Sequence, residues 1–365
     1  MKYLYYLYIE FLAKHNIPEL FGAITFYIIP ACIIFIALLV VILALVLFER
    51  KLLGWFTQRK GPNRVGFWGG LQTLADAFKL LCKENITPNG ADRVLFNLAP
   101  ILMFLPVLIV LGLIPYSAEF SFMNFQTNLL IYIILATMPV LSILLGGWAS
   151  NNKYSLIGGI RNVSQILAYE LPIAFTVLSV MVLASSMNLT QITLAQSNQY
   201  GILGWFGFPC FIGFVIMIIC TLAELNRCPF DLPEAESELI CGYNTEYSGM
   251  RFALFYLSEY GMLFANSLLI SIMFLGGYLS PLGKYLSPMI FSGTLGNVMI
   301  YFEQAFWLFA KSFLIIFLFI WIRATLPRLA AVDLLKFSWT ILLPLSIVNF
   351  LLMTLLKYFL GGVYA

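Results

Sequence analysis

Charge is what this sequence has least of. Only 10% of its 365 residues are Asp, Glu, Lys or Arg, where a soluble domain carries about 25%. That scarcity excludes a water-soluble globular fold. Histidine is limited to His15, so no bis-histidine haem can be assembled within the chain. The six cysteines, Cys32, Cys82, Cys210, Cys220, Cys228 and Cys241, form no CxxC pair, which argues against an iron–sulfur site or a disulfide framework. Neither GxGxxG nor GxxxxGK[ST] occurs, and nucleotide binding is unsupported. No basic patch is interleaved with aromatic residues, so nucleic acid is not an expected partner. If electrons pass, another chain carries them.

What is present is oil. The chain is 61% hydrophobic and its mean hydropathy is +0.93, which gives an all-α, polytopic membrane protein forming one integral membrane domain over 1–365. Eight windows are long enough to span as helices: 24–48, 94–114, 129–149, 163–185, 205–225, 252–276, 305–326 and 338–360. The segments between them alternate in character. Fifteen of the twenty basic residues fall in the loops 49–93, 149–162, 226–251 and 327–337 or at their edges, so these loops face inward and both termini outward by the positive-inside rule. Lys311 is left inside the seventh window. The N-terminal MKYLYYLYIEFLAKH is too short to span and reads as an interfacial lead-in. No inverted repeat of the kind common in secondary transporters is visible.

Two inward loops carry structure of their own. In the first, Gly61-Pro62-Asn63 signals a turn, and Leu71, Leu74, Ala75, Phe78, Leu81 and Cys82 recur at helical spacing. This predicts an interfacial amphipathic helix over 71–84, at the least a membrane-surface anchor. The second, long and acidic, runs from Glu224 to Tyr260 and holds Glu224, Asp231, Glu234, Glu236, Glu238, Glu246 and Glu259. Pro229 and Pro233 prevent a continuous helix, and Glu234 and Glu238 share a face at i, i+4. Glu236 and Glu246 read as solvated.

An ionised carboxylate in a membrane helix costs several kcal/mol unless paired, hydrated or protonated. Glu170, just before Pro172, Glu224 at a helix end and Glu259 two turns into the sixth window are therefore candidates for passing protons. The bland alternative is a structural pair such as Glu224 with Arg227, three residues on. In IRATLPRLAAVDLLKF, Arg323 is either a snorkelling anchor or, with Arg328, Asp333 and Lys336, part of an ion-pair network between the inward loops.

The strings RKGPNR (59–64), LQTLADAFKLLCKE (71–84), ELNRCPFDLPEAESEL within 223–260, and IRATLPRLAAVDL (322–334) together resemble one family over nearly the whole chain. It is the first membrane chain of respiratory complex I, the proton-pumping NADH–ubiquinone oxidoreductase. The outward loops, 277–304 above all, match least. The resemblance implies an enzyme subunit without a redox centre, with NADH, FMN and iron–sulfur clusters held by partner subunits and ubiquinone as substrate. It implies as partners the peripheral-arm subunits at the quinone site, the neighbouring membrane-arm subunits and membrane lipids. It further implies a quinone chamber bearing Arg59, Lys60, Asp76, Lys79, Arg227, Arg323 and Arg328, and a proton-coupling row of Glu170, Glu224, Asp231, Glu234, Glu238 and Glu259. Phe56, Phe67 and Trp68 could shape the entrance.

Other readings share some of these features. A stand-alone proton-coupled transporter would also need intramembrane acids, a structural anchor would need only the loops, and the membrane subunit of an energy-converting hydrogenase shares several motifs. The wealth of Phe, Ile and Tyr fits an A+T-rich genome such as an organelle's, and the expected location is the mitochondrial inner membrane, ahead of a bacterial plasma membrane.

Overall fold

The computed structural model describes residues 19–197, 201–233, 239–282, 285 and 294–360. The lead-in at the N-terminus, Glu234, Glu236, Glu238 and most of 283–293 lie outside the described residues. Among those described, the chain is helical apart from turns and a single bridge between Pro115 and Ser121. Seven spans are long and apolar enough to cross a membrane, and an eighth helix is apolar but shorter.

The first helix, α1 (Glu19–Phe56), has 38 residues, nearly twice the roughly 20 that a bilayer requires. Its surplus lifts Glu49, Arg50 and Lys51 to the end of the bundle where most basic residues gather, termed the basic end. There α2 (Gln72–Cys82) forms the expected amphipathic helix. Asp76 ties it to Arg50 of α1 at 2.6 Å, while Leu71, Phe78 and Leu81 stay more than half exposed. An apolar face uncovered on a helix of this kind belongs in the membrane interface or against another chain.

The bundle continues through α3 (Arg93–Leu113), α4 (Asn128–Ala149), α5 (Lys153–Ala184), the short α6 (Leu189–Ala195) and α7 (Phe211–Glu224) to α8 (Gly249–Phe274). It closes with α9 (Thr294–Thr325), α10 (Ala331–Phe337) and α11 (Leu343–Leu360). The axis of the bundle is α8, whose apolar stretch is 83% buried against 17% for α1. Small residues let it pack closely: a methyl group at Gly261 would lie 2.5 Å from Val107 on α3. At its far end Lys311 of α9 donates to the carbonyls of Leu275, Gly277 and Leu279 at 2.7, 2.9 and 2.6 Å and lies 4.1 Å from the centre of the Trp205 ring. The lysine thus satisfies carbonyls that the end of α8 would leave orphaned.

Each of the eight expected windows holds a helix, but three boundaries move for physical reasons. The expected helix at 163–185 begins ten residues earlier, at Lys153, capped by Asn152, whose side chain accepts from the Tyr154 amide. Gly158 and Gly159 do not break it, because Gly158 faces the backbone of Pro233, Gly242 and Tyr243 where no side chain would fit. The expected helix at 205–225 shortens to 14 residues, since Gly207 and Pro209 break its first turns. The freed backbone is satisfied by Gln196, which accepts from the amides of Phe206 and Gly276 and donates to the Ile272 carbonyl. Irregular backbone at membrane depth survives where it is buried and bonded in this way. Finally, the expected inward loop at 327–337 is mostly helix: α10 runs through a π turn, Ser338–Leu342, into α11. Pro344 lacks the amide that a regular turn there would use.

Candidate functional site

At the basic end, Glu49 is the centre of a buried cluster that sequence reasoning missed. It is 3% exposed and accepts from Arg227 Nη1 at 2.9 Å through one carboxylate oxygen and from Arg323 Nη1 through the other. The Arg227 guanidinium in turn stacks 4.7 Å from the centre of the Tyr260 ring. Burial would pull Arg227 down, but the Glu49 carboxylate more than offsets it and holds the guanidinium above its ordinary value. The alternative pairing of Glu224 with Arg227 does not form. Helix α7 ends at Glu224, and Asn226, at φ +50°, turns the chain, so the two side chains leave on different sides. Sequence could not reveal Glu49's role, since its partners lie 178 and 274 residues away, and in the string ERK it looks neutralised by its neighbours.

The expected ion-pair network between inward loops is present at Arg323 and Arg328, while Asp333 and Lys336 form no ion pair with a described residue. Besides Arg323 with Glu49, Arg328 Nη2 meets Asp231 Oδ2 at 3.0 Å, and the Leu329 amide donates to the Pro229 carbonyl at 3.2 Å. Asp231 is thus held by an arginine and takes no part in lining the cavities described next. Arg59, Lys60 and Lys79 are exposed and form no ion pair with a described residue. Asp76 faces Arg50 and accepts from Gln72. Of the residues assigned to the chamber, only Arg227 and Arg323 are brought together.

The interior acids have different surroundings. Glu170 of α5 and Glu224 of α7 line one cavity of about 30 Å³ with Tyr132 and Tyr169. Glu224 and Glu259 of α8 line a second of about 30 Å³ with Asn226 and Ser258. Each volume suits about two waters, a water needing roughly 10–15 Å³ measured in this way. Glu259 also accepts from the Tyr243 hydroxyl at 2.8 Å. Glu224 accepts from Asn266 Nδ2 at 3.3 Å, and Asn266 accepts from the Tyr132 hydroxyl at 2.8 Å. No Lys or Arg lines either cavity. Glu170, Glu224 and Glu259 therefore lie in series along two water-sized spaces, with Glu224 restrained by Asn266, and Glu259 held by Tyr243 and also within the field of the Arg227 guanidinium. Tyr132, Tyr243 and Asn266 were also missed. Asn266 could have been noticed as an amide in the middle of an apolar run.

The family description "NADH dehydrogenase" matches residues 29–354. Chains named as the H subunit of NADH-quinone oxidoreductase are 43% identical over 94% of this chain and 96% of theirs in Brevibacillus brevis, and 45% identical over 86% and 88% in Bacillus mycoides. The chain belongs to this family. Its strings RKGPNR, ELNRCPFDLPEAESEL and IRATLPRLAAVDL, which carry the resemblance, all fall within the matched span. As a member of the family it is a multi-pass membrane subunit of NADH-quinone oxidoreductase, which neither a stand-alone transporter nor a hydrogenase subunit would be.

Proposed function

We propose that this chain is the membrane subunit of a proton-translocating NADH–quinone oxidoreductase that walls part of a quinone chamber at its basic end and passes protons between that chamber and the membrane arm through Glu170, Glu224 and Glu259. The observation that carries the reading is the serial arrangement of those three carboxyls through two water-sized cavities lined by no cation. A carboxyl beside space for water can take a proton from one water and return it to another. Electrons arrive through partner subunits. Each quinone takes up two electrons and two protons to become quinol, and the Arg227 and Arg323 guanidiniums supply positive charge where negative charge develops on the head group.

Within this reading Arg59, Lys60, Asp76, Lys79 and Arg328 belong to the chamber's outer rim, where a partner subunit of the peripheral arm would complete it. The exposed apolar residues of α2, together with Phe56, Phe67 and Trp68, all exposed, suit a membrane-level entrance for a hydrophobic tail. Glu234 and Glu238 are assigned to the same proton-coupling role in this reading. The relatives named above are bacterial, which favours a bacterial plasma membrane. The mitochondrial inner membrane expected from composition has no support from them.

The test is Glu224→Gln in the assembled complex. Quinone reduction and proton pumping should both fall at least tenfold with subunit content unchanged. An assembled variant that pumps at the full rate would remove Glu224 from the path. A chain serving only to anchor the peripheral arm would instead lose assembly and keep the turnover of whatever complex remained.

A further inference from the structure

Glu224 and Asn266, with the apolar Ala136 and Ile166, line both cavities, so they supply the polar part of the partition between the water-sized space near Glu170 and the one near Glu259. Asn266 is 2% exposed and Tyr132 1%, so neither group can turn to bulk solvent for a partner. The bond from Asn266 Nδ2 to Glu224 Oε2 is 3.3 Å, beyond the roughly 2.7–2.9 Å of a tight charge-assisted bond. It restrains the carboxyl without clamping it.

Both supporting groups can work in two directions. An asparagine side chain offers NH2 donors at one end and a carbonyl acceptor at the other, and a tyrosine hydroxyl both donates and accepts. With Glu224 ionised, the Asn266 NH2 faces the carboxylate and its Oδ1 accepts from Tyr132, as observed. With Glu224 protonated, a half-turn of the amide lets the carboxylic O–H donate to Oδ1 while Nδ2 donates to the Tyr132 oxygen. In either state each of the three side chains keeps a hydrogen-bond partner within the trio, and leaving a buried polar group without one costs about 1–3 kcal/mol.

We propose that Asn266, backed by Tyr132, is a positioning residue that keeps the Glu224 carboxyl at the partition between the two cavities in both of its protonation states. The inference rests on the proton-relay reading and adds to it a second role, that of the neutral amide. The titratable groups facing Glu224 are Glu170 and Tyr169 from α5, Tyr132 from α4 and Glu259 from α8, with Cys220 on its own helix. None of them is cationic, so the amide is the neighbour whose hydrogen bond favours the ionised form.

The experiment uses the whole complex in proteoliposomes, comparing wild type with Asn266→Leu, Tyr132→Phe and the double variant, each with subunit content verified. Asn266→Leu should slow pumping about tenfold and move to higher pH, by roughly one unit, whichever limb of the rate profile Glu224 governs, because a donor to the carboxylate is lost. Tyr132→Phe removes one oxygen, should slow pumping about threefold and should move the same limb in the same direction. The double variant should be no worse than Asn266→Leu, since both act through one bond. Unshifted profiles in both single variants, or effects that multiply in the double, would overturn the proposal. If Asn266→Leu fails to assemble, Tyr132→Phe alone decides by its profile. Should Glu224→Gln pump normally, the relay itself has failed; should Glu224→Gln be inactive while the Asn266 and Tyr132 profiles stay put, only this inference has.

Discussion

Two carboxylates in this bundle are withdrawn from water and kept in opposite company. Glu49 at the basic end has a guanidinium on each oxygen, whereas Glu224 in the interior has an amide on one oxygen and a water-sized cavity on either side. The first arrangement compensates the charge and fixes the group in place. The second leaves the charge uncompensated by any cation lining the cavities and restrains the group through a single amide. Burial alone therefore does not mark an acid for proton transfer; the identity of its neighbours does. Asp231, held by Arg328 and lining neither cavity, falls with Glu49 in this contrast.

The sharpest way to break the comparison is to unpair Glu49. Arg227→Met leaves a buried charge short of its more deeply buried counter-ion, and removing one member of a buried pair costs about 3–5 kcal/mol. Thermal inactivation of the detergent-solubilised complex should shift down accordingly, and Glu49→Gln added to Arg227→Met should recover part of the loss. If Arg227→Met were as stable as wild type, Glu49 would be no more fixed than Glu224. A smaller effect is expected at Lys311, a buried charge whose hydrogen-bond partners are carbonyls. Lys311→Met orphans up to three of them, for about 1–3 kcal/mol, read in the same thermal assay, with pumping by the surviving complex unchanged. The smallest should come from Arg328→Ala. Its guanidinium is 42% exposed, so the pair with Asp231 is worth about 0–1 kcal/mol and should weaken further in high salt. A large loss there would mean that the inter-loop contact is held more tightly than its exposure implies.

Much of the architecture is legible in the sequence because membrane helices announce themselves by length and hydropathy. The interfacial helix is legible from Leu71, Leu74, Phe78 and Leu81, and Glu224 and Glu259 stand out as acids in apolar runs. What escapes are features decided between helices. The start of α5 falls earlier than its pattern suggests because Gly158 and Gly159 look like breakers until the loop packed against them is seen. The segment before α7 looks helical because Gln196, which satisfies the irregular turn instead, lies in a different segment. Glu49 escapes because its neighbours in sequence are basic, which hides the fact that its partners are other arginines far along the chain. Asn266 and Tyr132, polar but uncharged, are visible as candidates only once the two cavities they border are known.

Tyr260 and Glu259 are consecutive residues on α8, and successive side chains on a helix point about 100° apart. One therefore serves the arginine cluster and the other the acid row. Gly261, the next residue, seats the helix against Val107 with no slack for a methyl group. Helix α8 thus brings the arginine cluster and the acid row to adjacent residues, so the two are joined by one peptide bond of a buried helix and not by a loop.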